Sequence, residues 1–452
     1  MGFDLVVSEG IIVTMTPGSK PFIGSLGITN GKIEFIKEGR IHPSEGKECL
    51  DARGKIISPG LINGHCHGDM TVVRGLADHL TLKEQNEKFA PYHFLYDLLS
   101  NQDRYYSRQL TYIEALRSGT TFITENMYWS LGLDSIKAMA ETGIRGALVE
   151  DVRSDFTNPH SLVSLEYLMN FKEKCEQKDI IPILGSVSEE DFDENLMDQI
   201  FRMAEASNLL VTQHLAETTW RVNMCKERFG KTPVQFLSDN RLLSQNLIGS
   251  HSIYIDEEEI KSMAASGTKV INTPVCEMKI ADGVAPIPEF LREGVITGLG
   301  TDGALWNNSN DMFREIKGLI LLQTISKGIR SLHAKQALEM ATIDGAKIFG
   351  VEDRIGSLAI GKEADFVVID ASAPHLRPLR IGPHENVFST LAYNVTGSDV
   401  ESVYISGNPV VYHKQLLTLD ENEIIQEVQA ASERVVKEIP EEAFIMETTK
   451  IY

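Results

Sequence analysis

A chain of 452 residues with 42% hydrophobic and 24% charged side chains can bury a large core, which excludes the disordered and fibrous classes. Its net charge of −21 and isoelectric point near 5.0 oppose bulk attraction to nucleic acid phosphates or to anionic membranes. No apolar run is long enough to span a bilayer, and five cysteines without a CxxC pair fit a reducing, cytoplasmic compartment.

The first 55 residues read as short strands, LVVSEGIIVTM, GSLGITNGKIEFI and CLDARGKII, with Asn30-Gly31 a type I′ hairpin signal. Such strands cannot close a core alone. Near residues 355–415, EADFVVID and ESVYISGNPVVYH repeat the same alternation, which predicts one discontinuous β-sandwich built from both ends of the chain, over 1–58 and 355–452. The tail ENEIIQEVQAASERVVKEI carries apolar residues at helical spacing and predicts a packing helix.

Between these ends, strand-like runs alternate with amphipathic stretches. The runs are GLINGHCH, TTFITE, IRGALVE, IIPILGS, LLVTQH, NLIGSH, TKVINT and VITGLGTD; the stretches include DRYYSRQLTYIEALRS and ENLMDQIFRMAEAS. Eight β/α units over 59–354 predict a (β/α)8 TIM barrel, whose chemistry belongs at the C-terminal ends of its strands.

GLINGHCH sets two histidines one residue apart at the end of its run. Side chains at i and i+2 of a strand share a face, so His65 and His67 can grip one metal ion while Cys66 points away. Three later runs close on His214, with Glu217 three residues beyond, on His251 and on Asp302. This set and its order resemble the amidohydrolase superfamily, in particular its branch of deaminases and chlorohydrolases acting on nitrogen heterocycles. The resemblance extends from the NGK hairpin to ATIDGAKIFG and GSLAIGKEADFVVID.

The resemblance implies a metal centre of His65, His67, His214 and Asp302, a borderline-soft set that suits one Zn²⁺ per chain, with Fe²⁺ or Mn²⁺ as alternatives. Two-metal members need a bridging carboxylate on the fourth strand, and IIPILGSV offers none. Such an ion lowers the pKa of a bound water to about 7, giving the hydroxide that attacks in the family. By the same resemblance Glu217 carries protons to the ring nitrogen, His251 hydrogen-bonds the nucleophile or the developing oxyanion, and Asp302 also accepts a proton from water.

Departures from the family pattern bear on substrate. Where S-adenosylhomocysteine/methylthioadenosine deaminases carry a Trp and a ribose-holding Glu, this chain has Gln85 and His93, and Val187 replaces their fourth-strand histidine. In INTPVCEMKIADGVAPI a usual Ser-Asn pair is Cys276-Glu277, and Leu305 and Trp306 stand where small residues are common. Glu125 and Asn126, closing the second strand, resemble the triazine hydrolases. The substrate-binding expectation is therefore His93, Asn126, Glu277 and Trp306 around a compact, flat heterocycle with donor groups.

The function expected is a mononuclear metal-dependent hydrolase that removes an exocyclic amino or other leaving group from a nitrogen heterocycle. The alternatives are a purine nucleoside or guanine-type deaminase and, outside enzymes, a silent scaffold. Its partners are a small-molecule substrate and water, without nucleic acid or membrane, in a homodimer as is common among similar enzymes.

Overall fold

The structure is a computed structural model that describes residues 2–76, 78–89, 98–127, 131–153, 161–185 and 188–439. Among them, eight strands form a parallel sheet in strict chain order: β6 (Leu61–Cys66), β7 (Thr120–Asn126), β8 (Arg145–Asp151), β9 (Ile180–Gly185), β10 (Leu210–Leu215), β11 (Leu247–His251), β12 (Lys269–Asn272) and β13 (Thr297–Leu299). Their residues are almost wholly buried, as parallel strands covered by helices must be. Ile62, Ala147, Ile183, Ile248 and Ile271 fill the interior of this barrel.

Closure occurs just past the end of β13. The backbone N–H groups of Thr301 and Asp302 donate to the His65 carbonyl at 3.1 and 2.9 Å, and Thr301 also donates to Asn63 Oδ1 at 3.1 Å. A Cβ on Gly300 would stand 2.7 Å from the backbone N and O of His65, so only glycine lets the last strand approach the first. The expected barrel is present, and its seam runs through two of the candidate site residues.

The ends of the chain share a second, nine-stranded mixed sheet. Five strands come from the start: β1 (Phe3–Ile12), β2 (Phe22–Thr29), β3 (Lys32–Glu38), β4 (Gly46–Asp51) and β5 (Lys55–Pro59). Four come from the end: β14 (Phe366–Asp370), β15 (Val400–Ile405), β16 (Asn408–Tyr412) and β17 (Gln415–Leu416). The halves join where β14 runs antiparallel to β5, from Phe366 opposite Pro59 to Asp370 opposite Lys55. Leu5, Val7, Leu26, Ile33, Phe366 and Val368 meet in one apolar cluster, the shared core that neither half could build alone.

The C-terminal helix Glu421–Glu438 does not lie on this sheet. Ile424, Val428, Ala431 and Val435 pack with Met70, Val72, Val73 and Ile113, over the 3-10 turn Gly68–Val73 and the helix Asn101–Arg117. Arg434 donates to Asp103 at 2.5 Å across that interface.

Candidate active site

The ends of β6, β10, β11 and β13 converge on one polar cluster inside the barrel mouth. His65 and His67 lie edge to face with ring centroids 4.8 Å apart; His214 is 5.1 Å from His65 and stacks on His67 at 5.5 Å. Asp302 Oδ1 stands 3.5 Å from His65 Nε2 and 3.3 Å from His67 Nε2. All but the half-buried His214 are closed to solvent.

Backbone strain aims these groups. His251, Ser252, Ala216 and Asp302 are non-glycine residues with φ of 68°, 52°, 47° and 62°. L-residues adopt that region at a cost, and such residues concentrate where structure over-determines them. Here the Ser252 N–H is held by the Leu215 carbonyl at 3.0 Å, and those of Ile253 and Tyr254 by Ala216 at 3.2 and 3.0 Å. The kinked strand ends turn His251 and Asp302 inward.

A hydrogen bond behind the ring sets the tautomer of His67. His67 Nδ1–H donates to the Asn126 carbonyl at 2.7 Å, which leaves the Nε2 lone pair toward Asp302. His65 Nδ1 lies 2.9 Å from the Ser250 hydroxyl and 2.9 Å from the Asn126 side-chain amide. Burial holds the imidazoles neutral: His67 is pushed down to about 3, and His65 and His214 also fall below the ordinary histidine value. Burial alone would raise Asp302, but its contact with His65 and the neighbouring His67 and His251 hold it well below the usual carboxylate range.

This donor set fits a transition metal. Ligand atoms about 2.0–2.1 Å from a tetrahedral ion are separated by about 3.3 Å, the spacing found between Asp302 and the two Nε2 atoms. His65 Nε2 and Asp302 Oδ1 are buried and lack a hydrogen bond among the described residues. The ligating atoms fall into two overlapping groups, His65–His67–Asp302 and His65–His214–His251, with His65 common to both.

A second layer consists of proton-handling groups. Glu217, at the turn after β10, is bonded through Oε2 to the Arg221 guanidinium and stands 3.8 Å from His251 Nε2. His251 Nδ1 meets the Thr273 hydroxyl at 2.9 Å, with Glu277 Oε1 at 3.8 Å behind it. Burial opposes a charge on His251, yet Glu217, Glu277 and Asp302 together outweigh it and raise its pKa to about 10.

Residues 56–410 match the amidohydrolase family profile. The chain belongs to the amidohydrolase family. It is similar to the 5′-deoxyadenosine deaminase of Methanosarcina acetivorans, 31% identical over 96% of this chain and 98% of that protein. An adenosine deaminase from Xanthomonas campestris, solved with bound zinc, superposes with a TM-score of 0.88 at 25% identity, covering 96% and 99% of the two chains. Atrazine chlorohydrolase from Arthrobacter aurescens, complexed with zinc, has a TM-score of 0.83 over 95% and 100% of the chains; at 19% identity that likeness is one of fold. This amidohydrolase is thus a hydrolase of carbon–nitrogen bonds other than peptide bonds.

Two of the residues expected around substrate, Asn126 and Glu277, have polar atoms that help hold the site of this amidohydrolase together. Asn126 contacts His65 and His67, as described above. Glu277, 1% exposed, accepts from Asn272 at 2.6 Å and from the Thr273 backbone at 3.2 Å, and so backs His251. Trp306 packs edge-on against the His67 ring at 5.3 Å. His93 and Val187 lie outside the described residues.

Other contributors carry no spacing signal in the sequence. Cys276 S–H donates to Asp302 Oδ2 at 2.8 Å, and burial among carboxylates keeps it a thiol. Beneath Asn126, the fully buried Arg108 bridges Glu125 at 2.7 Å and Asp69 at 3.1 Å, while Tyr112 donates to the other Glu125 oxygen. Arg108 and Tyr112 sit four residues apart on the helix Asn101–Arg117, one turn that faces the barrel. A charged pattern inside a helix reads as a solvated face; only the fold reveals that this one is internal.

Proposed function

We propose that this amidohydrolase is a mononuclear hydrolytic deaminase that removes the exocyclic amino group of a nitrogen heterocycle. The observation that carries the reading is Asp302 Oδ1 set 3.3–3.5 Å from two imidazole Nε2 atoms whose opposite nitrogens are already engaged. His65, His67, His214 and Asp302 would hold one zinc ion, which supplies a water nucleophile activated at neutral pH.

The rest of the chemistry falls to side chains. Glu217 takes a proton from the nucleophilic side and gives it to the ring nitrogen, which makes the adjacent carbon electrophilic. Arg221 anchors one of its oxygens and so limits its rotation. His251 hydrogen-bonds the oxygen that adds to the ring carbon, and the hydroxyl proton of the tetrahedral adduct passes to the amino nitrogen as the C–N bond breaks, leaving a C=O group and ammonia. The acidic composition and five free cysteines support a cytoplasmic enzyme, and family resemblance supports a homodimer.

The relatives favour an adenine-type ring, whereas the residue departures at 93 and 187 favour a compact base over its nucleoside. The experiment is an ammonia-release screen of adenine, guanine, a pterin and melamine against adenosine and 5′-deoxyadenosine, with zinc-loaded protein. Turnover of at least one amino-heterocycle is expected, with Glu217→Gln slower by about 10²–10⁴ while retaining zinc. A screen without any ammonia release, or a Glu217→Gln enzyme at wild-type speed, contradicts the reading. A kcat/KM led by 5′-deoxyadenosine selects the nucleoside form of it.

A further inference from the structure

The turn that carries Glu217 is held from the loop after the fourth barrel strand. Ala216, the residue before Glu217, is buried with a φ of 47°, a conformation that L-residues adopt at a cost. Its carbonyl accepts the N–H groups of Ile253 and Tyr254, and its own N–H donates to Glu189 Oε1. Glu189 opens the 3-10 turn Glu189–Asp191 that follows β9, and it is wholly buried. A carboxyl group at that depth needs hydrogen bonds, and its Oε1 makes one to the peptide group next to the candidate proton carrier.

The next residue, Glu190, reaches the other end of Glu217. Arg221 Nε donates to Glu190 Oε1 at 3.0 Å, while Nη1 of the same guanidinium is bonded to Glu217 Oε2. The backbone of Arg221 is fixed as well, because Thr218 caps the helix Thr219–Phe229 and its hydroxyl accepts the Arg221 N–H at 3.2 Å. From the last turn of that helix, Arg228 donates to the Glu190 carbonyl at 2.7 Å and to the Phe192 carbonyl at 2.6 Å, which ties the loop to the helix. A planar guanidinium held at Nε has few rotamers left, so it presents Nη1 in one direction.

We infer that Glu189 and Glu190 are a positioning pair for Glu217: Glu189 fixes its backbone through the Ala216 N–H, and Glu190 fixes its carboxylate through Arg221. The fourth strand, which offers no metal ligand, thus serves the site through the loop behind it. Proton transfer depends steeply on where the carrier stands, so a loosened Glu217 slows turnover without changing what the site binds. This inference rests on Glu217 as the proton carrier of the proposed reaction.

Steady-state kinetics of the zinc-loaded full-length enzyme test it, with the best amino-heterocycle of the ammonia-release screen as the probe. Glu189→Ala and Glu190→Ala should each lower kcat by about tenfold or more, with KM within about twofold and zinc per chain unchanged. Glu189→Gln and Glu190→Gln keep an oxygen acceptor and should stay within about threefold of wild-type kcat. Adding Glu190→Ala to an Arg221→Met enzyme should cost less than about twofold further, since the path to Glu217 is already cut there. Should Glu189→Ala not fold, Glu190→Ala decides, because that side chain is 26% exposed and leaves no closed void.

Wild-type kcat in the alanine variants, equal losses in the Gln and Ala variants, or a full further loss on removing Glu190 from the Arg221→Met enzyme overturns the inference. Failure of the underlying reading shows elsewhere: Glu217→Gln is then as fast as wild type, whereas a slow Glu217→Gln enzyme beside fast alanine variants sinks the positioning pair alone.

Discussion

Asn126 shows how much a single residue type conceals. As a polar side chain at the end of a barrel strand it reads as a substrate contact, yet its carbonyl takes the His67 Nδ1–H and its amide sits against His65 Nδ1. Groups that orient ligating imidazoles commonly change metal affinity by about 10–100-fold when removed. Asn126→Ala should therefore weaken zinc binding by about that factor in a competition with a chromophoric chelator, while the backbone bond to His67 prevents complete loss. Unchanged affinity would return Asn126 to the substrate side. The imidazoles, Glu217 and Asp302 were legible because strand ends and family order coincide in the sequence. Arg108 was not: a charge inside a helix reads as a solvated face, and only the fold turns it onto Glu125 and Asp69.

At the scale of elements, strand periodicity carried most of the information. Each of the eight runs read from alternating or continuous apolar residues is a strand of the barrel, and each expected helix between them that lies in described residues is present. What periodicity cannot convey is how a strand ends. The left-handed turns at Ala216, His251 and Asp302 fall on residues other than glycine, so no glycine in the sequence announces them. The closure of β13 on β6 is similarly silent, although it depends on one glycine. Gly300→Ala should push its methyl into the His65 backbone, destabilising the fold by about 1–3 kcal/mol in urea titration and lowering zinc content with it. A variant as stable and as metal-rich as wild type would show that the seam tolerates a wider gap.

For the whole molecule, the pairing of chain ends was readable because neither set of short strands could bury its apolar face alone, and β5 and β14 do complete one sheet. The place of the last helix was not, since its apolar stripe specifies that it must be covered but not by what; it covers the turn that follows His67. Its burial against Met70, Val72 and Val73 links the end of the chain to the candidate metal centre. The central claim is that one metal ion, gripped by β6, β10 and β13, makes this barrel a deaminase. Titrating zinc into chelator-stripped enzyme while measuring ammonia release tests that most directly. Activity should rise linearly and break at one zinc per chain, and His67→Ala should show no break in that range. Full activity without metal, or a break at two, would contradict the account.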